Sequence, residues 1–293
     1  MPTTIDSQIG STARQSAPPP SLRDMLKDIT IPPRPSSLVD LKLELEQAEP
    51  RIDRLVAIVN SDVAMSAALL KLANSPWLGM SRRIGNVAEA FNIIGFKRCE
   101  HILTEIALRK VLPTEGPALF RFWDVSSKRS QAMGMLARRV GIDTETAQTM
   151  GLFADVGIPL LAQRFTQPSY IETLVEANRS ERAFTQVEQE RHATDHTVIG
   201  SLLARSWGLT QDIANAVKLH HDYDYLKEGA TSIVHELIAL CLVVEHIIQR
   251  FQGLNNHAEW VKGGALAMQT LAISNSDIDS WADELHERFA GDN

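Results

Sequence analysis

The sequence has little cysteine, few aromatic residues and no long apolar run. Its two cysteines, Cys99 and Cys241, lie far apart in the chain, each among apolar neighbours. This spacing predicts reduced, packed thiols, and neither cysteine lies in a recognisable nucleophile motif. The longest apolar run, Leu237 to Val244, is far shorter than the ~20 residues that span a bilayer. We therefore expect neither a disulfide-stabilised nor a membrane-spanning protein.

The chain also lacks an excess of positive charge. Its 29 basic and 36 acidic residues leave a net charge of -7. Nonspecific nucleic-acid binding needs a basic face that displaces counterions, so we expect no nucleic-acid partner. Basic pairs such as Arg82-Arg83 and Lys97-Arg98 are interpreted as solvated surface. The first residues do not resemble a secretory signal, and the predicted compartment is the cytoplasm.

Composition predicts an N-terminal arm followed by a helical region. Residues 1–20 are rich in Ser, Thr and Gln and end in three prolines, which predicts a flexible arm. The prolines between Ile31 and Pro35 then predict a stiff extended segment. From Leu38 onward, apolar residues recur every three or four positions, with hardly any alternation of period two. The predicted fold class is therefore all-α.

Capping residues mark several helices. Asn86 with Glu89 predicts the start of a helix that ends at Gly95. A single helix is expected from Asp143 or Thr144, through the glycines, to about Phe165. Ser61 is predicted to cap a helix with an apolar stripe made of Val63, Ala67, Leu70 and Ala73.

Two further helices are predicted in the last third of the chain. Thr210 is placed to cap a helix that carries His220 and His221. An amphipathic pattern predicts a helix from Ser276 to Phe289, which either folds back on the core or docks a partner.

Several short motifs occur in an order and at separations typical of one family. They are Leu69-Leu70-Lys71-Leu72-Ala73-Asn74-Ser75, Ala90-Phe91-Asn92-Ile93-Ile94-Gly95, Phe122-Trp123, Gly151-Leu152-Phe153-Ala154-Asp155-Val156-Gly157, the series Glu188, His196, Gly200, Leu203 and Trp207, and His220-His221. With these motifs, residues 21–225 resemble the HD-related output domain, HDOD, of bacterial signal transduction.

The resemblance implies an HD-related multi-helix bundle in two packed helical halves, residues 21–112 and 118–225. Residues 226–293 are then expected to form a C-terminal helical extension packed on this domain. The family's usual role is regulatory, without established hydrolysis.

Compared with metal-binding HD relatives, the chain departs from the pattern at two histidine positions. Those relatives would carry a histidine near Val125 and another at Ala154, where this chain has apolar residues that supply no lone pairs. The remaining positions are interpreted as a hydrogen-bonded polar cluster with no catalytic residue, metal or cofactor. Its members are Asp155, His196, His220, His221 and Glu245. If a metal binds, the first four of these would hold it.

Two other groups of residues are candidates. His192 and His196 lie four apart, as metal-chelating histidines on one helix face do, but Ala193 stands where a glutamate base would be, so ordinary histidines are favoured. Asn74 and Ser75, followed by Pro76, are typical of a helix stop. With Trp77 they are also a candidate surface for a partner or ligand.

The predicted function is a noncatalytic regulatory module that acts through protein contacts or a small ligand. Its partner would be a signalling protein that binds in trans, since no receiver or cyclase sequence is visible, and no oligomeric state is predicted. The alternative is a metal-dependent phosphohydrolase with a reduced ligand set, acting on a nucleotide or cyclic dinucleotide. In that case Lys128 and Arg129 would bind phosphate.

Overall fold

The computed structural model describes residues 29–113, 115–228, 231–253 and 258–291. The predicted arm, residues 1–20, lies outside the described residues. Within these ranges the regular structure is helical, with a single isolated bridge between Thr166 and Ser169, which confirms the all-α prediction.

The helices are numbered α1 to α15 in chain order. The first five are Ser36–Leu45, Ile52–Asn60, Val63–Ala73, Val87–Ile94 and Phe96–Val111. The next seven are α6 Pro117–Ala137, α7 Thr144–Phe153, α8 Gly157–Arg164, α9 Tyr170–Arg179, α10 Phe184–His192, α11 His196–Ser206 and α12 Gln211–Leu219. The last three are α13 Ile233–Phe251, α14 Ala258–Leu271 and α15 Asn275–Gly291.

One hydrophobic cluster runs through both predicted halves. Helices α1 to α5 pack on one another, and α5 then packs on α7 of the second half. His101 of α5 also contacts α6 of the second half, because its Nε2 lies 2.8 Å from the Ser130 hydroxyl. The two halves therefore share a core, while the exact bounds of the domain stay a prediction.

The extended segment before α1 lies against the second half. The indole Nε1 of Trp207 donates to the Pro32 carbonyl at 3.0 Å, and Arg34 donates back to the Trp207 carbonyl at 3.2 Å. Trp207 itself is buried. This reciprocal pair fastens residues 29–35 to the end of α11.

The first half contains two corrections to the predicted α3. Asp62, not Ser61, caps the helix, since its carboxylate accepts from Ala64 N and Met65 N. The buried face is also different from the predicted stripe. It consists of Met65, Leu69 and Ala73, whereas Val63 is 81% exposed. The α4 prediction is confirmed, because Asn86 accepts from Glu89 N.

The helix predicted to run unbroken to Phe165 is in fact two helices. The chain turns at Ala154–Val156 between α7 and α8, and Asp143 caps α7. His220 and His221 also differ from prediction, because α12 ends at Leu219 and the two histidines follow in a turn. Both differences affect the candidate site.

The C-terminal helices pack on the preceding helices. α13 is largely buried and contacts α6, α12, α14 and α15. α15 folds back on the core, and its buried apolar residues are Ile278, Trp281, Leu285 and Phe289.

Among the described residues, no single helix is long and apolar enough to cross a membrane. The helices α2 and α3 pass that test only when taken together, across a 113° bend.

Candidate functional site

A close helix contact places Asp155 beside His196. Gly157 begins α8 so near to α11 that a Cβ atom there would lie 2.1 Å from the His196 carbonyl oxygen. Glycine is therefore required at this position. Because the chain turns just before Gly157, the Asp155 side chain projects from the turn toward the first residue of α11.

Three histidines surround the Asp155 carboxylate. The Nε2 atoms of His196 and His220 are 3.4 Å apart, and each lies 3.3 Å from Asp155 Oδ1. His221 completes the group, in which one ligand atom of each residue lies within 4.8 Å of the others. The fold thus brings together the four residues that the sequence analysis grouped as candidates.

The Nδ1 atom of each imidazole faces an oxygen atom outside the group. These oxygens are Glu188 Oε2 at 2.8 Å from His196, the Val217 carbonyl at 2.8 Å from His220, and Glu259 Oε2 at 2.9 Å from His221. Such outer partners fix the orientation and tautomer of a ring and leave Nε2 free to interact elsewhere.

Arg129 of α6 connects Asp155 to the predicted fifth member, Glu245 of α13. Its Nη1 lies 2.6 Å from Asp155 Oδ2 and 2.7 Å from Glu245 Oε1, while Nε donates to the Gly151 carbonyl. The Arg129 side chain is only 1% exposed. Glu245 is thus bound to the arginine, whose two carboxylate partners stabilise a buried positive charge.

These contacts set the protonation of the cluster. Burial opposes a charge on His196, but Glu188 and Asp155 outweigh it and raise the pKa of His196 well above its usual value. Burial, with His221 adding to it, lowers the pKa of His220 to about 4. Burial also disfavours an ionised Asp155, yet Arg129 and His196 lower the pKa of that carboxyl well below its usual value. The structure therefore favours an imidazolium between two carboxylates, next to a neutral His220.

A second layer of residues holds the carboxylates that face the histidines. Tyr170 donates to Glu188 from α9. Tyr223 donates to Glu259 of α14 at 2.8 Å, and Lys262 lies 2.7 Å from the same carboxylate. Of these residues, only Glu188 was in a motif.

The donor set fits one metal ion. Three imidazole nitrogens and one carboxylate oxygen are ligands that zinc and similar ions accept, and the oriented Nδ1 atoms are typical of metal-bound histidine. Neither Val125 nor Ala154 adds a donor, and Glu245 is held by Arg129. The ligands of such an ion would thus be Asp155, His196, His220 and His221.

The basic residues suggested for phosphate binding are engaged elsewhere. Lys128 lies 2.7 Å from both carboxylate oxygens of Asp124, one turn earlier on α6. Arg129 binds carboxylates, as described above.

His192 lies outside the four-residue group. It ends α10, and its Nε2 lies 2.8 Å from the Thr173 hydroxyl. The prediction that it is an ordinary histidine agrees with this contact, which ties α10 to α9.

The structure shows how Asn74 stops α3. Its side chain accepts from Ile84 N at 2.7 Å and donates to the carbonyls of Ile84 and Leu70. It therefore clamps the loop that follows. Ser75 precedes a short 3-10 turn, and the side chain of Trp77 lies outside the described residues. A partner surface at these residues stays a prediction.

Known proteins share both the sequence pattern and the fold. The HDOD domain family matches residues 31–223. An uncharacterized protein of Treponema pallidum is 26% identical over 221 residues, which are 71% of this chain and 40% of that protein. The chain thus spans about two fifths of the length of this curated relative.

Solved structures extend the likeness in fold. A Geobacter sulfurreducens HDOD protein of unknown function has a TM-score of 0.66 and 21% identity, over 92% of this chain and 96% of that one. A Shewanella amazonensis protein whose name proposes a phosphohydrolase has a TM-score of 0.69 and 20% identity, over 91% and 94%. A Marinobacter aquaeolei protein whose name proposes signal transduction has a TM-score of 0.68 and 20% identity, over 92% and 63%.

Because the family match covers well over half of the chain and the fold agrees, this protein belongs to the HDOD domain family.

Proposed function

We propose that this protein is a noncatalytic regulatory module that acts in signal transduction by binding a partner protein in trans. The observation that carries the proposal is the buried Arg129 between Asp155 and Glu245. Its guanidinium pairs with both carboxylates and carries a permanent positive charge, since arginine stays protonated in proteins. The arginine therefore compensates the negative charge of these carboxylates, as a bound metal cation would otherwise do.

The burial of the cluster supports the same conclusion. Hydrolysis by a metal centre needs a position for water and access for a substrate. His196 is fully buried, and His220 is 3% exposed. Two cavities of the described surface, of about 580 and 870 Å³, are lined by residues outside the cluster.

The cluster is well placed for a structural role. Its hydrogen bonds and ion pairs link α6, α11 and α13 with the turns that follow α7 and α12. A polar network that satisfies its members rigidifies the elements it joins. We infer that the site holds these helices in a fixed arrangement, which presents the protein's outer surface to a partner.

An assay on untagged protein tests the proposal. Hydrolysis of a nucleoside triphosphate and of cyclic dinucleotides is measured with added Mn²⁺, Fe²⁺ or Zn²⁺, for the native chain and for a variant with His196→Ala and His220→Ala. We expect no turnover by either. Turnover by the native chain that the double substitution abolishes would overturn the proposal.

The second candidate is a phosphohydrolase with one metal ion. It is favoured by four ligand atoms that lie within 4.8 Å of one another. It is also favoured by the histidine Nδ1 atoms, which face oxygen atoms outside the group, as for His196 and Glu188. A bound ion would activate water and polarise a phosphoryl oxygen. In that case Asp155, His196, His220 and His221 would hold it, and Arg129 would keep Asp155 ionised.

Metal content separates the two candidates. Elemental analysis of untagged protein is compared with that of His196→Ala and of a matched control, His192→Ala, which removes a buried histidine outside the group. One ion per chain that is lost only in His196→Ala, together with turnover, would support the phosphohydrolase. Metal-free protein without turnover supports the regulatory module.

A further inference from the structure

The helix α3 carries an apolar stripe that is partly open to solvent. Val63 is 81% exposed and Ala67 is also exposed, while Leu70, half-buried against the core, follows them at helical spacing on the same face. Isolated exposed apolar residues need no explanation, but a stripe that continues into a groove is typical of a binding surface.

That stripe leads into a cavity of about 870 Å³ between α3 and residues 80–85. Leu70 and Met80 form apolar parts of its lining, and Lys71, Arg82 and Arg83 are the charged lining residues. We call this cavity, together with Val63, the α3 groove.

The far wall of the α3 groove is held in place by the protein itself. Asn74 clamps Ile84 through two hydrogen bonds, at 2.7 and 2.9 Å. Glu89 accepts from Gly85 N at 2.8 Å and pairs with Arg82 at 3.1 Å. A groove with fixed walls binds at a lower entropic cost than one that must be ordered.

The charge of the groove is opposite to that of the whole chain. Lys71 and Arg83 are exposed, and within the described ranges neither has a carboxylate partner within 4.0 Å. The net charge of the protein is -7. A local excess of cations on an acidic protein selects for an acidic partner, because complementary charges steer association and exclude wrong partners.

We propose that the α3 groove binds an acidic amphipathic segment of the partner protein. Apolar side chains of that segment would pack on Val63, Leu70 and Met80, while its carboxylates would pair with Lys71 and Arg83. Nucleic acid fits less well, because phosphates match the cations but leave the apolar stripe uncovered. The inference rests on the proposed function and names the class of partner.

Fluorescence anisotropy with synthetic peptides tests the proposal. The probe is a 14-residue peptide, roughly four helical turns, with leucines at i, i+3, i+4 and i+7 and glutamates between them. Three comparison probes are a peptide with lysine for each glutamate, an acidic peptide with serine for each leucine, and a single-stranded oligonucleotide. We expect the 293-residue chain to bind the acidic amphipathic peptide in preference to all three.

A double charge reversal locates the binding. Lys71→Glu with Arg83→Glu should weaken binding of the acidic amphipathic peptide by at least about tenfold. The matched control is Arg179→Glu with Arg205→Glu, which reverses two exposed charges on α9 and α11 and should leave binding unchanged. Val63→Ser should also weaken binding, and circular dichroism confirms that each variant is folded.

Three results would overturn the proposal: no binding of the acidic amphipathic peptide, equal loss in the control pair, or preferred binding of the oligonucleotide. The hydrolysis assay tests the proposed function separately. A noncatalytic module shows no turnover there, even if its α3 groove does not bind the peptide, whereas an enzyme does show turnover.

Discussion

The Arg129 guanidinium and the Asp155 carboxylate form a buried ion pair with Nη1 2.6 Å from Oδ2. The pair joins α6 to the turn between α7 and α8. Glu245 shares the same nitrogen, so one cation stands against two buried anions.

Replacing Arg129 with an uncharged residue should destabilise the protein. Arg129→Met would leave the buried Glu245 without its ion-pair partner and Asp155 with only His196 and His220, and we expect the free energy of unfolding to fall by about 3–5 kcal/mol. Urea denaturation measures the loss. Arg205→Met, at an exposed arginine, is the control and should change stability by less than about 0.5 kcal/mol.

A rescue distinguishes charge from packing. Arg129→Met combined with Glu245→Gln removes the unpaired charge and should recover part of the lost stability. If this double variant is less stable than Arg129→Met, buried charge is not the cause.

Gly157 should tolerate no side chain. A methyl group there would meet the His196 carbonyl oxygen, a backbone atom that cannot turn aside. Alanine ordinarily stabilises a helix relative to glycine by about 1 kcal/mol, so the sign of the change is diagnostic. We expect Gly157→Ala to destabilise the protein by about 1–3 kcal/mol or more, as measured by urea denaturation.

The control for this prediction is Gly85→Ala. A Cβ atom at Gly85 would lie 3.6 Å from the nearest atom, the Glu89 Oε2, which is an ordinary contact. A small effect at Gly85 and a large one at Gly157 would confirm the close approach of α8 and α11. Equal effects would contradict it.

The cap of α7 should make stability depend on pH. Hydrogen bonds from the backbone and side chain of Thr146 lower the pKa of Asp143. A carboxyl whose pKa is lowered by folding stabilises the protein above its unfolded pKa of about 3.9, and this contribution is lost as the pH falls through the lower folded value. Asp143→Ala should cost about 0.5–2 kcal/mol at pH 7.

Asp143→Asn provides the matched comparison, because asparagine also caps helices but does not ionise. It should lie close to the native chain in stability at pH 7 and lose less stability between pH 5 and pH 2. Thermal denaturation across this range measures both. An unchanged acid profile would show that the Asp143 carboxylate contributes nothing through its charge.

The two faces of α3 should respond differently to truncation. Leu69 is fully buried, so Leu69→Ala should cost about 2–5 kcal/mol. Val63 is 81% exposed, and Val63→Ala should stay within about 0.5 kcal/mol. Comparable losses at both positions would contradict the observed orientation of the helix.

This helix also shows where prediction from the sequence fails. Several helix starts followed from local chemistry: the caps at Asn86 and Thr210 lie as predicted, and Asp143 is one of the two cap positions predicted for α7. The buried face of α3 could not be predicted in this way. Most residues of the helix are apolar, and periodicity then selects no face. Three members of the predicted stripe, Val63, Ala67 and Leu70, belong instead to the surface that we propose binds a partner.

The candidate site was also only partly predictable from the sequence. Asp155, His196, His220 and His221 were predicted from motifs, and the fold brings them together. The ion pair between Arg129 and Glu245 joins residues 116 apart in sequence. Nothing in the local pattern of either residue signals such a contact, since only the packing of α13 on α6 creates it.

Glu259 should link the C-terminal helices to the histidine cluster. Its Oε2 lies 2.9 Å from His221 Nδ1 and accepts from the Tyr223 hydroxyl at 2.8 Å. Because both partners use one oxygen, Glu259→Gln and Tyr223→Phe should not be additive. We expect a coupling free energy of about 0.5–3 kcal/mol in a double-mutant cycle measured by urea denaturation. Lys227→Met with Tyr223→Phe is the control cycle, since Lys227 pairs with Asp224 instead. Additive losses for Glu259 and Tyr223 would mean that α14 packs beside the cluster without supporting it.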